Sequence, residues 1–199
     1  MARMVKSTTY GGLEMNRVAS VDTKQVFSQL PLEATEFAST ACENGMVLVY
    51  DEVAGEVRLP TDAAGVIIEE VFLVGTHEYY YDKKYLGEFA VTIEESAVKY
   101  STIGFAGAAQ VQYTYPDLYK INIGDTFTTN TLDMASSVYA DIAVGHFFTP
   151  RDTGLLTYDG ATAAAGSSLI CVVIRKYTLP NGDNAVKLRV NQVMVDATS

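Results

Sequence analysis

From Asn44 onward the hydrophobic positions recur with a period of two, in short runs cut by glycine and proline, which is the mark of β-strands joined by turns. Asn44-Gly45 is a turn dipeptide, and Met46 to Tyr50 after it is dense in valine and tyrosine. Val53 to Leu59 alternates about Gly55, and Val66 to Val74 is a third apolar run interrupted only by Glu69-Glu70. Three such runs with short turns predict an antiparallel meander, because crossover helices have no room. Further strands are predicted where Phe89, Val91 and Ile93 share a face and where Gln110 to Tyr115 alternates. Lys120 to Ile123 and Thr126 to Thr129 read as the two limbs of a tight turn at Gly124-Asp125.

The C-terminal end carries the clearest signal. Leu169 to Leu179 is a long β-branched run, Pro180-Asn181-Gly182-Asp183 is a turn, and Val186, Leu188 and Val190 then alternate with Lys187 and Arg189. The phase slips at Asn191-Gln192, which predicts a bulge. The first limb is apolar on both faces and therefore belongs between two layers or inside a barrel.

Helical periodicity is scarce. Leu132, Ala135, Val138, Tyr139 and Ile142 give a helix candidate over Thr131 to Val144, although the valine and tyrosine there suit a strand equally. Residues 1–45 hold no sustained period, so an extended N-terminal docking arm that buries little against its own domain is expected. Within it, Asp22 can cap a short helix over Thr23 to Leu30 that Pro31 ends; the alternative is a strand or two in the main sheet through Arg17 to Val21. The expected fold is all-β or β-dominated: an antiparallel barrel or sandwich over residues 46–199, preceded by the arm 1–45.

Composition sharpens this reading. At 199 residues, 48% hydrophobic and 19% charged, the chain can fold around one substantial core. No apolar run reaches the roughly 18 residues of a membrane span, and the first residues lack the apolar centre of a signal peptide. A soluble, unexported protein is expected. The net charge of −10 is uneven: residues 1–24 and 169–199 each carry four bases against two acids, so the middle of the chain is strongly acidic. An acidic body excludes a broad nucleic-acid face. Basic Arg3, Lys6 and Arg17 are candidates for docking the N-terminus on an acidic neighbour.

Catalytic chemistry finds no constellation. His77 and His146 have no second histidine or cysteine at zinc-ligand spacing, and His77-Glu78 reads as an exposed loop pair. Cys42 and Cys171 are read as free thiols, and Cys171, between Ile170 and Val172, as a buried, inert partner for any dyad with His146. Gly104 and Gly107 lack a phosphate-loop pattern, Ser167 and Ser168 lack a nucleophile elbow, and Glu69-Glu70 and Glu94-Glu95 alternate across a strand. No catalytic, metal-binding or cofactor-binding residue is assigned, and a non-enzymatic protein is expected. Tyr79, Tyr80, Tyr81 and Tyr85 form the candidate partner-binding patch, since tyrosine offers contact area with a polar tip.

The polar arm through Val21, the strand opening at Asn44-Gly45 with Asp51 to Leu59 after it, and the Ile121 to Phe127 turn resemble the small β-rich proteins that decorate or cement tailed-bacteriophage capsids. That resemblance implies a tulip-like β-domain with an arm threading across neighbouring subunits. It also implies a virion location after assembly in the host cytoplasm, and as partners the major capsid protein and copies of the chain itself, in a homo-oligomer such as a trimer. Phage tail-tube and head–tail joining proteins share the style, and a carbohydrate- or receptor-binding β module is the alternative from another class.

Overall fold

The computed structural model describes residues 11–19, 26–27, 30–62, 65–76, 90–91, 97–100, 110–113, 116–134, 137–179 and 182–193. Its strands are, in chain order, β1 (Leu13–Arg17), β2 (Val26–Phe27), β3 (Cys42–Glu43), β4 (Val47–Asp51), β5 (Glu56–Arg58), β6 (Phe72–Val74), β7 (Ala90–Val91) and β8 (Ala97–Tyr100). They continue as β9 (Gln110–Tyr113), β10 (Leu118–Lys120), β11 (Thr126–Thr129), β12 (Leu132–Asp133), β13 (Phe147–Pro150), β14 (Leu156–Gly160), β15 (Leu169–Thr178) and β16 (Asn184–Val193). Two 3-10 turns lie at Glu36–Ala38 and Tyr139–Asp141. The expected β-dominated class is observed.

Two open sheets make the body. One has seven strands in the order β1-β11-β16-β15-β13-β14-β12, the other five in the order β2-β10-β6-β4-β5. Alternation decides what each face buries. Val47, Val49, Leu73 and Tyr119 of the smaller sheet share a core with Phe127, Phe148, Leu156, Leu169, Cys171, Val173, Leu188 and Val190 of the larger. The intervening positions of the smaller sheet, Leu48, Phe72, Val74 and Leu118, point away and form a second cluster with Leu32, Phe37 and Cys42. The small sheet is thus apolar on both faces, a middle layer between the large sheet and the segment 30–42.

The predicted hairpin is the longest ladder. β15 and β16 pair from Leu169–Val193 to Thr178–Asn184, and the register shifts between Ile170 and Cys171, whose partners Gln192 and Val190 leave Asn191 as the extra residue. That is the slip read at Asn191-Gln192. A second shift lies between Val173 and Arg175.

Several expectations are corrected. The described parts of residues 1–45 are built into the body: β1 pairs antiparallel with β11, and Leu13 and Met15 pack on the main core. Gly75 admits that packing, because a Cβ there would overlap the Met15 methyl. Val26–Phe27 is a strand on β10 in place of the predicted helix; residues 20–25 and 28–29 lie outside the described residues. The helix expected over Thr131 to Val144 is replaced by β12 and the 3-10 turn. Leu132 and Met134 alternate into the core, while Val138, needed on a helical stripe, is 61% exposed. The expected meander becomes β5-β4-β6, with β6 returning on the far side of β4, and only Phe72–Val74 of the run from Val66 is strand.

The turn at Gly124-Asp125 is no hairpin, because β10 belongs to the small sheet and β11 to the large one. Asp125 organises this crossing. Its carboxylate accepts the N–H of Ala19 at 3.0 Å and of Asn122 at 2.8 Å, and its backbone C=O accepts the N–H of Val190 at 2.9 Å. Gly124, at φ +94°, supplies the left-handed conformation the crossing needs.

Candidate functional site

The candidate site is the junction from which the tyrosine-bearing stretch of the sequence departs. β6 and β10 are adjacent, with Leu118 opposite Val74, yet residues 75–117 of the chain separate them. Both ends are fixed. Gly75 N–H donates to the Asp117 C=O at 3.0 Å, and Asp117 N–H to the Thr76 hydroxyl at 2.8 Å. Buried Asn44 meets Thr76 twice, accepting its N–H at 2.7 Å and donating to its C=O at 3.1 Å. The network continues from Asn44, whose C=O accepts the Thr131 hydroxyl at 2.6 Å, to Thr129, whose hydroxyl binds both Thr131 N–H and Gly12 C=O. Asn130, fully buried, accepts the Gly12 N–H at 2.6 Å and donates to Asp183 at 3.4 Å. Buried Glu43 accepts the Gly11 N–H at 2.8 Å. A belt of threonines and asparagines therefore ties the β1 entry, the Asn44 turn, the β6 end and the hairpin turn together. Buried polar groups persist only when so paired.

Among the described residues of 77–115, β7 pairs with β3 and β8 pairs with β9, both antiparallel. Tyr79, Tyr80, Tyr81 and Tyr85, like Arg3, Lys6, His77, Glu94, Glu95, Gly104 and Gly107, lie outside the described residues. Arg17 is exposed at the end of the edge strand β1.

The groups capable of chemistry are dispersed. Burial pushes both thiols far above their ordinary value, with the Glu43 charge adding to the effect at Cys42. His146 Nδ1 accepts the Ala143 N–H at 3.2 Å and lies 2.5 Å from the Tyr158 hydroxyl, so it is turned to the strap before β13 and forms no bond to Cys171. Burial, then the Asp141 charge, raises Tyr158. Glu69 is clamped by Arg58 through bonds of 2.6 and 3.3 Å, and Glu70 pairs with Lys120 at 2.8 Å. Ser167 is buried with its hydroxyl on the Leu169 C=O, and Ser168 is also buried. Glu43 borders a hollow of about 330 Å³ with Ser39, Thr40 and Thr153. No group of three His, Cys, Asp or Glu among the described residues could hold a metal ion.

Sequence reading missed the belt, because its members are single polar residues scattered from Gly11 to Asp183. The turn dipeptide at Asn44-Gly45 was the one local signal. No family model, no curated protein and no solved structure matches the chain.

Proposed function

We propose that the chain is a non-enzymatic structural subunit of a virion, binding and stabilising a tailed-phage capsid shell as a decoration or cement protein. Its partners in this reading are the major capsid protein and copies of itself, and its place is the virion, after assembly in the host cytoplasm. The observation that carries the reading is the junction at Thr76 and Asp117, where two adjacent strands hold the ends of the intervening chain against a doubly buried sheet. A fixed body carrying a long insertion at a braced base is a scaffold for contact with neighbours. The position of Tyr79 to Tyr85 in that insertion, and the resemblance to decoration proteins with its tulip-like outline, add support.

Quantitative mass spectrometry of purified virions from the host that carries the gene tests the proposal. Peptides of this chain in a fixed, high ratio to the major capsid protein are the expected result. Absence from the particle overturns it, and binding of the purified chain to a glycan instead moves the function to the carbohydrate-binding alternative.

A further inference from the structure

The strap between β12 and β13, residues 137–146, packs against the main core. Ile142 is buried in the main core and Tyr139 packs against it, while Val138 and Val144 stand exposed on either side. Tyr139 anchors the strap by pointing its hydroxyl at the C=O of Tyr177 and of Ala185, at 3.2 and 3.3 Å. Lys176 covers the Tyr139 ring and donates to the Ala140 C=O. The other anchor is His146 with Tyr158.

That second anchor has more hydrogen-bonding demands than one proton arrangement can meet. Nδ1 of His146 accepts the Ala143 N–H, which requires its lone pair. The Tyr158 hydroxyl lies 2.5 Å from the same nitrogen and 2.8 Å from the Asp141 C=O, and it has one proton for the two acceptors. With neutral Nδ1, the tyrosine proton goes to the ring and Ala143 shares the lone pair. With Nδ1 protonated, the ring donates to Tyr158, Tyr158 turns its proton to the Asp141 C=O, and Ala143 loses its acceptor.

We infer that His146 and Tyr158 form a proton-operated latch on this strap, which holds Ala143 N–H when the imidazole is neutral and Asp141 C=O when it is charged. Among the described residues, the titratable groups on or facing the strap are Tyr139, Tyr158, Asp141, whose carboxylate accepts the Val138 N–H, and Lys176. Asp159, beside Tyr158 in β14, is engaged by Thr149 and Arg151. The latch sets how the flanking Val138 and Val144 are presented, which gives the molecule an acid-sensitive surface whatever its partner.

Amide and ring resonances of the isotope-labelled full chain, followed from about pH 8 to about pH 5, where an imidazole changes charge, test this. The Ala143 amide is expected to move upfield with the same midpoint as the His146 ring. In His146→Asn, whose side-chain oxygen replaces Nδ1 without titrating, the Ala143 amide should stay fixed. In Tyr158→Phe the Ala143 response should persist, while the Ile142 nitrogen, bonded to the Asp141 carbonyl, should stop responding. A His146 ring that titrates while Ala143 stays still overturns the latch, as does an Ala143 amide that titrates in His146→Asn.

Discussion

The hairpin β15–β16 and the segment 30–43 both put fully buried side chains into a core, and they do so in opposite ways. In the hairpin, Leu169, Cys171 and Val173 face inward at every second residue, opposite Val193, Val190 and Leu188, so local pattern, ladder and burial agree. In the segment 30–43, Leu32, Phe37 and Cys42 are five apart, a spacing that belongs to neither helix nor strand. What holds that segment is distant. Val57 donates to the Pro31 C=O and accepts from Glu33 N–H, both at 2.8 Å, and the Glu36 carboxylate accepts the Leu59 N–H at 2.5 Å. A layer can thus be as buried as a hairpin while much of what orders it lies elsewhere in the chain.

The ring of Phe37, fully buried in the distant layer, is the most costly side chain to remove. Phe37→Ala should cost about 3 to 5 kcal/mol, as for a fully buried ring whose site collapses incompletely. Urea unfolding reads this directly, and a cost near zero would return residues 30–43 to the role of an arm. Next comes the hairpin itself: Leu188→Ala should cost about 2 to 5 kcal/mol and its exposed neighbour Arg189→Ala less than about 0.5 kcal/mol. Equal costs at the two positions would make β16 a peripheral flap.

A smaller effect sharpens the role of the belt between the two regions. Asn130→Ala leaves the half-buried Gly12 N–H without its acceptor, so a cost of about 1 kcal/mol is expected in the same assay. The amide of Gly12 should exchange faster in that variant than the amides of β16, and unchanged exchange would detach β1 from the belt.

The smallest effect is a pH dependence at the edge strand β5. Burial pushes the Glu69 carboxyl up, but the Arg58 hydrogen bond, the Thr61 N–H and the Arg58 charge outweigh it and hold it below its usual value. The sign follows from the lowered folded-state pKa. This contribution is complete above the unfolded carboxylate value, near about 4.3, and is lost as pH falls through the lower folded value. The stability gap between the native chain and Glu69→Gln should therefore be constant near neutrality and close below about pH 4. A gap that widens on acidification would contradict the assignment.

These differences explain what the amino-acid order discloses. The hairpin, its bulge at Asn191 and the strand Met46 to Tyr50 rest on alternation and turn residues, which are local and visible. The crossing at Gly124-Asp125 is invisible, because Ile121 to Phe127 reads as a tight turn whether its strands pair with each other or with two different sheets. Val26–Phe27 and Leu13–Arg17 are too short and too plain to signal strands; each exists because β10 or β11 offers it an edge. The site was legible at Asn44-Gly45 alone. Thr76, Asp117, Thr131 and Asn130 are ordinary polar residues until the fold brings them together.

The described parts of the first forty-five residues belong to the body of the molecule. Hydrogen exchange of the isolated chain, compared between peptides spanning residues 30–43 and residues 184–193, tests it most directly. The two should resist exchange to a similar degree and lose protection together as urea is raised. Full exchange of residues 30–43 while the hairpin stays protected would contradict it.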